Sequence, residues 1–141
     1  MEIRNLTKEE LDSLIETAPE AETEFLREMT DNREISPYEF INTYALEQSG
    51  IINGRPIYLG ALIGNHLWTI VNKDVKEQFT LFKVAKRKAQ EWAGKHKRIY
   101  ACMHKNNEKN LEWTKRLGFK FVKEDNDTVT LEMIGGDYGM R

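Results

Sequence analysis

The sequence is poor in residues that cross-link or anchor a chain. Of its 141 residues only Cys102 is a cysteine, which excludes an internal disulfide framework and a cluster of thiolate metal ligands. His66, His96 and His104 are scattered, so we predict no metal site. No apolar run approaches the roughly 20 residues of a membrane span, and no basic leader precedes a cleavage site. We therefore expect a cytoplasmic protein without a membrane segment.

The residues that are present suit one compact domain. Hydrophobic residues make up 40% of the chain and charged residues 31%, enough for a core and a soluble surface. The length is that of one ordinary domain rather than two. We predict a single domain over residues 1–134 and a flexible tail over residues 135–141.

The net charge of −2 is divided unevenly along the chain. Residues 1–50 contain thirteen acidic and four basic residues, whereas residues 51–141 contain ten acidic and seventeen basic ones. Two interpretations stay open. Either the acidic half neutralises the basic half within the fold, or the basic surface meets an anion such as a nucleotide cofactor, a nucleic acid or an acidic partner.

Capping signals predict three helices in the first fifty residues. After a short strand at EIR, Thr7 and Glu10 form a capping box that starts the first helix. The second helix begins near Pro19. The third begins at Ser36, a good N-cap, and is closed by Gly50.

From Ile51 the pattern changes to strands and then to a long helix. Asn53-Gly54 and Gly64-Asn65 predict two hairpin turns of an antiparallel meander. After Asp74 apolar residues repeat at helical spacing, and Gly94 is the predicted C-cap. The predicted inward stripe of this helix consists of Phe79, Phe82, Ala85, Ala89, Trp92 and Ala93.

The remaining segments complete an α/β chain. RIYACM predicts a buried strand with Cys102 as an inert buried thiol, and NEKNLEWTKRL predicts a helix ended by Gly118. A terminal hairpin turns around residues 125–127. The predicted fold class is α/β, an α+β arrangement with a mixed, mostly antiparallel twisted sheet flanked by helices.

Two segments carry a resemblance to a known family. EIRNLTKEEL at the start and NNEKNLEWTKRLGFKFV after the buried strand resemble the GNAT (GCN5-related N-acetyltransferase) superfamily, in which an Asn-led helix ends in Leu-Gly-Phe. More narrowly, PIYLGALIGNHLWTIVNKDV with KVAKRK and KRLGFKF resembles small acetyltransferase-like proteins of short-tailed phages, which are internal virion or virion-assembly proteins. That resemblance implies a place in the host cytoplasm and the virion, with a virion or host protein as partner.

The superfamily resemblance implies acetyl-CoA as cofactor. Its pantetheine arm would add to the edges of the strands LWTIV and RIYACM, and its pyrophosphate would meet a glycine-containing turn before the long helix. Residues 72–88 contain no glycine, which leaves cationic side chains to bind phosphate by charge, unless they are only a solvated helix face. Asn107 matches the asparagine that contacts the arm, and serves equally well as a helix cap. The expected cofactor-binding residues are Trp68, Ile70, Val71, Lys83, Lys86, Arg87 and Asn107.

Catalytic residues are harder to assign. The resemblance implies a general base, often a carboxylate, and a tyrosine that protonates the leaving thiolate. The two strands contain neither Asp nor Glu, so His66 and His104 are the candidate bases. The usual tyrosine position falls on Thr114, whose hydroxyl is a far weaker acid than a phenol.

Three functions stay open. The favoured one is a phage-type protein with this fold, weakly active or inactive, that acts in virion assembly or binds a host factor. The alternative is an active N-acetyltransferase that moves acetyl from acetyl-CoA to an amine of a protein or small molecule. The third is an unrelated α+β binding domain. Nucleic acid is not expected, because the aromatic residues of FTLFKVAKRKAQEW are assigned to the inward face of their helix.

Overall fold

The computed structural model describes residues 1–136, apart from the side chains of Ala21 and Phe25. Seven strands form a mixed sheet that is flanked by five helices, so the predicted fold class is confirmed. The elements in chain order are β1 (Glu2–Arg4), α1 (Lys8–Thr17), α2 (Glu20–Arg33), α3 (Pro37–Tyr44), β2 (Ala45–Ile52), β3 (Pro56–Ile63), β4 (His66–Val71), α4 (Gln78–His96), β5 (Arg98–His104), α5 (Glu108–Leu117), β6 (Lys120–Glu124) and β7 (Thr128–Ile134).

The strand order in the sheet is β1-β2-β3-β4-β5-β7-β6. The pairs β1–β2, β2–β3, β5–β7 and β6–β7 are antiparallel, and β4 runs parallel to β5. The chain forms two compact units. The first unit consists of residues 1–64 and 68–81, and the second consists of residues 65–67 and the chain from Phe82 onward.

The first unit is built as the capping signals predict. The Glu10 amide donates to Thr7 Oγ1 at 3.2 Å, and the Thr7 amide donates to Glu10 Oε1 at 2.8 Å, which completes the predicted capping box. Ser36 caps α3 through the Glu39 amide. Buried apolar side chains of α1, α2, α3, β3 and β4 form one core, which includes Leu11, Leu14, Leu26, Phe40, Ile41, Leu59 and Ile70.

The third helix is shorter than the sequence predicts. It ends at Tyr44, and residues 45–52 form β2, so the prediction that Gly50 closes the helix is wrong. Pairing with β1 on one edge and β3 on the other overrides the helix propensity of this segment. Gly50 has a packing role instead, because a Cβ there would lie 2.8 Å from the Arg4 carbonyl oxygen and overlap the Leu6 side chain.

The long helix α4 differs from the prediction in its first turn and at its C-terminus. Leu81 is the inward residue of the first turn, whereas Phe79 is 76% exposed, so the predicted stripe is wrong at that position. Gly94 is not the C-cap, since α4 continues to His96. The left-handed residue is Lys97, with φ of 70°, and its carbonyl accepts from the Gly135 amide at 2.6 Å.

The end of the chain follows the prediction, with one exception. Asn107 caps α5, Gly118 ends it with φ of 114°, and β6 and β7 form the predicted hairpin. Cys102 is exposed rather than buried. Side chains alternate between the two faces of β5, so Ile99 and every second residue after it lie in the core, whereas Cys102 lies on the other face. Within the predicted tail, residues 137–141 lie outside the described range.

None of the helices in residues 1–136 has the length and apolar character that crossing a membrane requires.

Replacing Gly94 with alanine tests where α4 ends. A Cβ at Gly94 meets nothing within 4 Å, so Gly94→Ala should raise the free energy of unfolding by about 0.5–1 kcal/mol. Gly135→Ala should lower it, because a Cβ at Gly135 would overlap the Ala93 carbonyl oxygen. Denaturant titration measures both variants. A destabilised Gly94→Ala would place Gly94 in a left-handed cap and contradict the structure.

The pair of Arg4 and Glu10 should make stability depend on pH. Two hydrogen bonds from the guanidinium, at 2.8 and 2.9 Å, together with the Thr7 amide lower the pKa of Glu10 from 4.5 to about 2. This contribution is present above pH 4.5 and is lost as the pH falls toward 2. Arg4→Gln should therefore be less stable than the parent at pH 7, and the gap should close below pH 4.5. Urea titrations across this range measure the gap. A gap that stays constant with pH would show that the ion pair does not cause it.

Candidate active site

A cross-strand row in the second unit brings together side chains that can move protons. Lys120 of β6 pairs with Glu132 of β7, Glu132 pairs with Tyr100 of β5, and Tyr100 pairs with His66 at the start of β4. Directly paired residues project from the same face of a sheet, so the four side chains share one face. The His66 and Tyr100 rings lie side by side, with centroids 5.6 Å apart.

An arginine lies beside the phenol in this row. The Arg98 side chain is near Tyr100, and its Nε atom lies 3.5 Å from Glu132 Oε2. The neighbouring Tyr100 phenol, followed by the charge of Glu132, raises the pKa of Arg98. A phenol hydroxyl is both a donor and an acceptor, so Tyr100 can donate its proton to another group.

The backbone fixes the row in place. The antiparallel pairing of β5 and β7 runs from Arg98 with Ile134 to His104 with Thr128. On the other edge of β5, the Tyr100 amide donates to the Asn65 carbonyl at 2.7 Å. Both rings of the His66 and Tyr100 pair are therefore attached to hydrogen-bonded strands.

The three catalytic candidates from the sequence have different surroundings. His66 is exposed and lies in the row. His104 is exposed on the same face of β5 as Tyr100, four residues further along, and its carbonyl accepts from the Asn107 amide at 3.1 Å. Thr114 is 4% exposed, and its hydroxyl donates to the Asn110 carbonyl at 2.8 Å. The Thr114 proton is thus used inside α5.

Three of the expected cofactor-binding residues lie in the first unit. Trp68 packs against the core, with its ring 5.8 Å from that of Phe40. Ile70 is 4% exposed and belongs to the same core. The Val71 amide donates to Glu22 Oε1 at 3.1 Å, so this backbone donor already has an acceptor.

The other expected cofactor-binding residues lie in the second unit. Lys83 and Arg87 are exposed on α4, and Lys86 is half-buried. Asn107 acts as the N-cap of α5, since its side-chain oxygen accepts from the Asn110 amide at 3.3 Å. The cap that the sequence offered as an alternative role is therefore present.

The backbone amides between β4 and α4 form hydrogen bonds within the protein. All five amides of residues 72–76 donate to acceptors within the protein. The donor and acceptor pairs are Asn72 to the Ile57 carbonyl at 3.0 Å, Lys73 to the Thr17 carbonyl at 3.0 Å, Asp74 to Asn72 Oδ1 at 2.8 Å, Val75 to the Asn72 carbonyl at 3.1 Å, and Lys76 to Glu77 Oε1 at 3.3 Å. Residues 72–76 therefore have no free amide donors for a diphosphate, in agreement with the absence of glycine.

A carboxylate lies at the start of α4. Glu77 precedes the first residue of the helix, and its Oε2 atom is buried without a hydrogen-bond partner among the described residues. Its Oε1 atom lies 3.6 Å from the Arg55 guanidinium. A negative charge here occupies the end of the helix that otherwise favours anions.

Sequence reasoning missed Arg98, Tyr100 and Glu132. The signal that was available is alternation, because RIYACMH and TVTLEMI place polar and apolar residues on opposite faces. The register that aligns Tyr100 with both Glu132 and His66 is a property of the folded sheet.

Comparison with solved structures assigns the fold. The chain has the fold of the GNAT acetyltransferases. A chimera of the spermidine N-acetyltransferase SpeG from Vibrio cholerae and hSSAT matches with a TM-score of 0.65 at 12% identity, over 95% of this chain and 96% of the other. A Bacillus subtilis acetyltransferase in complex with CoA matches with a TM-score of 0.63 at 17% identity, over 94% and 96%. The PaiA N-acetyltransferase of Thermoplasma acidophilum, in complex with coenzyme A, matches with a TM-score of 0.65 at 18% identity, over 94% and 98%.

Likeness at this level of identity shows the fold, and function has to be argued from the site. No protein-family model matches the sequence, and no curated protein matches it.

Proposed function

We propose that this protein transfers an acetyl group from acetyl-CoA to an amine. Two findings support the proposal: the fold shared with acetyltransferases, and the pair of His66 and Tyr100 with rings 5.6 Å apart. The pair carries the proposal, because it supplies a base and an acid on one sheet face. Tyr100 also supplies a phenol, the group that the superfamily resemblance implies and that Thr114 lacks.

The roles of the side chains follow from their chemistry. When bound, acetyl-CoA supplies an acetyl thioester, whose bond from carbon to sulfur breaks as the bond from nitrogen to carbon forms. A ring nitrogen of His66 accepts the proton that the attacking amine loses. The Tyr100 hydroxyl donates a proton to the leaving thiolate, and the Arg98 guanidinium lies beside this phenol. Return of the proton from His66 to Tyr100 restores the site.

Binding of the cofactor phosphates rests on side chains. The amides of residues 72–76 have internal acceptors, so an amide cradle does not fit there. Lys83, Lys86 and Arg87 fit phosphate by charge, since all three are cations on one helix and two are exposed. Trp68 and Ile70 pack in the first unit's core, and the Val71 amide already has an acceptor. We therefore assign the phosphates to α4.

The phage resemblance leads to a different proposal, which we do not adopt. A role in virion assembly or host-factor binding, with little or no activity, finds no support in the comparisons. The pair of His66 and Tyr100 favours the active alternative over that interpretation.

Substitutions in the row should separate chemistry from binding. His66→Ala and Tyr100→Phe should each lower kcat for acetyl transfer by about 10²–10⁴-fold, the range typical of a lost acid or base. His104→Ala is the matched control on the same face, and Thr114→Ser keeps the buried hydroxyl; both should retain activity. The measurement is release of free CoA thiol over a panel of amines. Full activity of both row variants would exclude these roles.

Cofactor binding can be tested without turnover. Acetyl-CoA at 100 times its Kd should add about 2.7 kcal/mol to the native state, which raises the melting temperature by several degrees for a domain of this size. The triple variant Lys83→Glu, Lys86→Glu and Arg87→Glu should lose most of this shift. Lys109→Glu, an exposed lysine on α5, is the control. No shift in the parent protein at millimolar acetyl-CoA would contradict the proposed function.

A further inference from the structure

The sheet of the second unit has one polar face, which we call the open face. Along β5 and β7 the opposite face is core, because Ile99, Met103, Val129, Leu131 and Met133 are all at most 8% exposed. The register pairs place ten residues of β5, β7 and β6 on the open face, and each is exposed or half-buried. They are Arg98, Tyr100, Cys102, His104, Thr128, Thr130, Glu132, Ile134, Lys120 and Lys123.

The open face carries an excess of positive charge. Arg98, Lys120 and Lys123 are cations, and Glu132 is the single carboxylate. Glu132 lies 3.5 Å from Arg98, which neutralises that pair. Within residues 1–136, neither Lys120 nor Lys123 has an ion-pair partner within 4.0 Å. The two lysines are therefore available to an external anion.

The lysines stand at a defined separation from the proposed base. Lys120, Glu132, Tyr100 and His66 follow one another across four neighbouring strands. Three strand spacings of about 4.8 Å place Lys120 roughly 14 Å from His66, and Lys123 lies on the same strand beside it. An extended peptide that rises about 3.3 Å per residue covers this distance with four or five residues.

We propose that the acceptor is the terminal amine of an acidic peptide, with carboxylates at about its fourth and fifth residues bound by Lys120 and Lys123. This inference rests on the proposed acetyl transfer, since it places the amine at His66. It goes beyond that proposal by assigning a substrate class and the residues that select it.

Charge and shape favour this class over two others. A polyamine would be repelled by the open face, on which Arg98, Lys120 and Lys123 outnumber the single carboxylate of Glu132. A nucleic acid would be attracted by the lysines, but base stacking needs accessible aromatic faces. Tyr100 is half-buried beside the His66 ring, and it is the single Phe, Trp or Tyr residue among the ten.

The experiment compares three peptides that differ only at residues four and five, which are acidic, amide or lysine. Acetyl transfer should have a kcat/KM about tenfold higher for the acidic peptide than for the amide peptide, as two exposed ion pairs allow, and lowest for the lysine peptide. Lys120→Glu with Lys123→Glu should reverse this order. Lys109→Glu with Lys115→Glu, the same charge change on α5, should leave it unchanged.

A binding measurement separates this inference from the proposed function. An acidic peptide with a blocked, N-acetylated terminus should shift the backbone NMR signals of Thr130 and Glu132, and the Lys120 and Lys123 double variant should abolish the shift. Shifts without transfer to any peptide, in protein that acetyl-CoA does not stabilise, would overturn the proposed function and support the peptide-binding face.

Three results would overturn the inference. The first is equal transfer to all three peptides, and the second is a preference for the lysine peptide or for spermidine. The third is a short single-stranded oligonucleotide that shifts Thr130 and Glu132 where the acidic peptide does not. Each result would leave the thermal shift with acetyl-CoA as an independent measure of the proposed function.

Discussion

The antiparallel pairing of β5 with β7 is the interaction on which the second unit depends. It joins the two strands along their length, from Arg98 with Ile134 to His104 with Thr128. Because side chains alternate along both strands, this one pairing sorts residues into a buried face and a polar face. It aligns Tyr100 with Glu132 and leaves the opposite edge of β5 to receive His66. The register of this pairing therefore determines both which side chains lie in the core and which form the candidate site.

Local signals in the sequence predicted much of the fold. The capping box of Thr7 and the caps at Ser36, Asn107 and Gly118 rest on contacts within four residues, and the structure contains all of them. The prediction that Gly50 and Gly94 end helices is wrong, because a glycine in a helical pattern can also mark a close backbone contact or simply lie within the helix. Gly50 is required where β2 passes close to Arg4 and Leu6, a contact between distant parts of the chain.

The candidate site was only partly predictable. His66 was identified from its place on a strand, but Tyr100, Arg98 and Glu132 depend on a register that no local signal encodes. Residues 72–88 contain no glycine, and the amides of residues 72–76 have acceptors within the protein. These acceptors could be seen only in the fold, where they include the Ile57 and Thr17 carbonyls. Contacts between residues distant in the sequence therefore determine the arrangement of the candidate site. They also determine that the amides of residues 72–76 are not free to bind phosphate.

The exposure of Cys102 has a practical consequence. It is the only cysteine of the 141 residues, and it pairs with Thr130 in the middle of the open face. A maleimide dye or nitroxide added to the native chain would therefore attach at one known position, two residues from Tyr100. The molecule carries its own labelling point for fluorescence or spin-label spectroscopy, with no engineered cysteine and no background to remove.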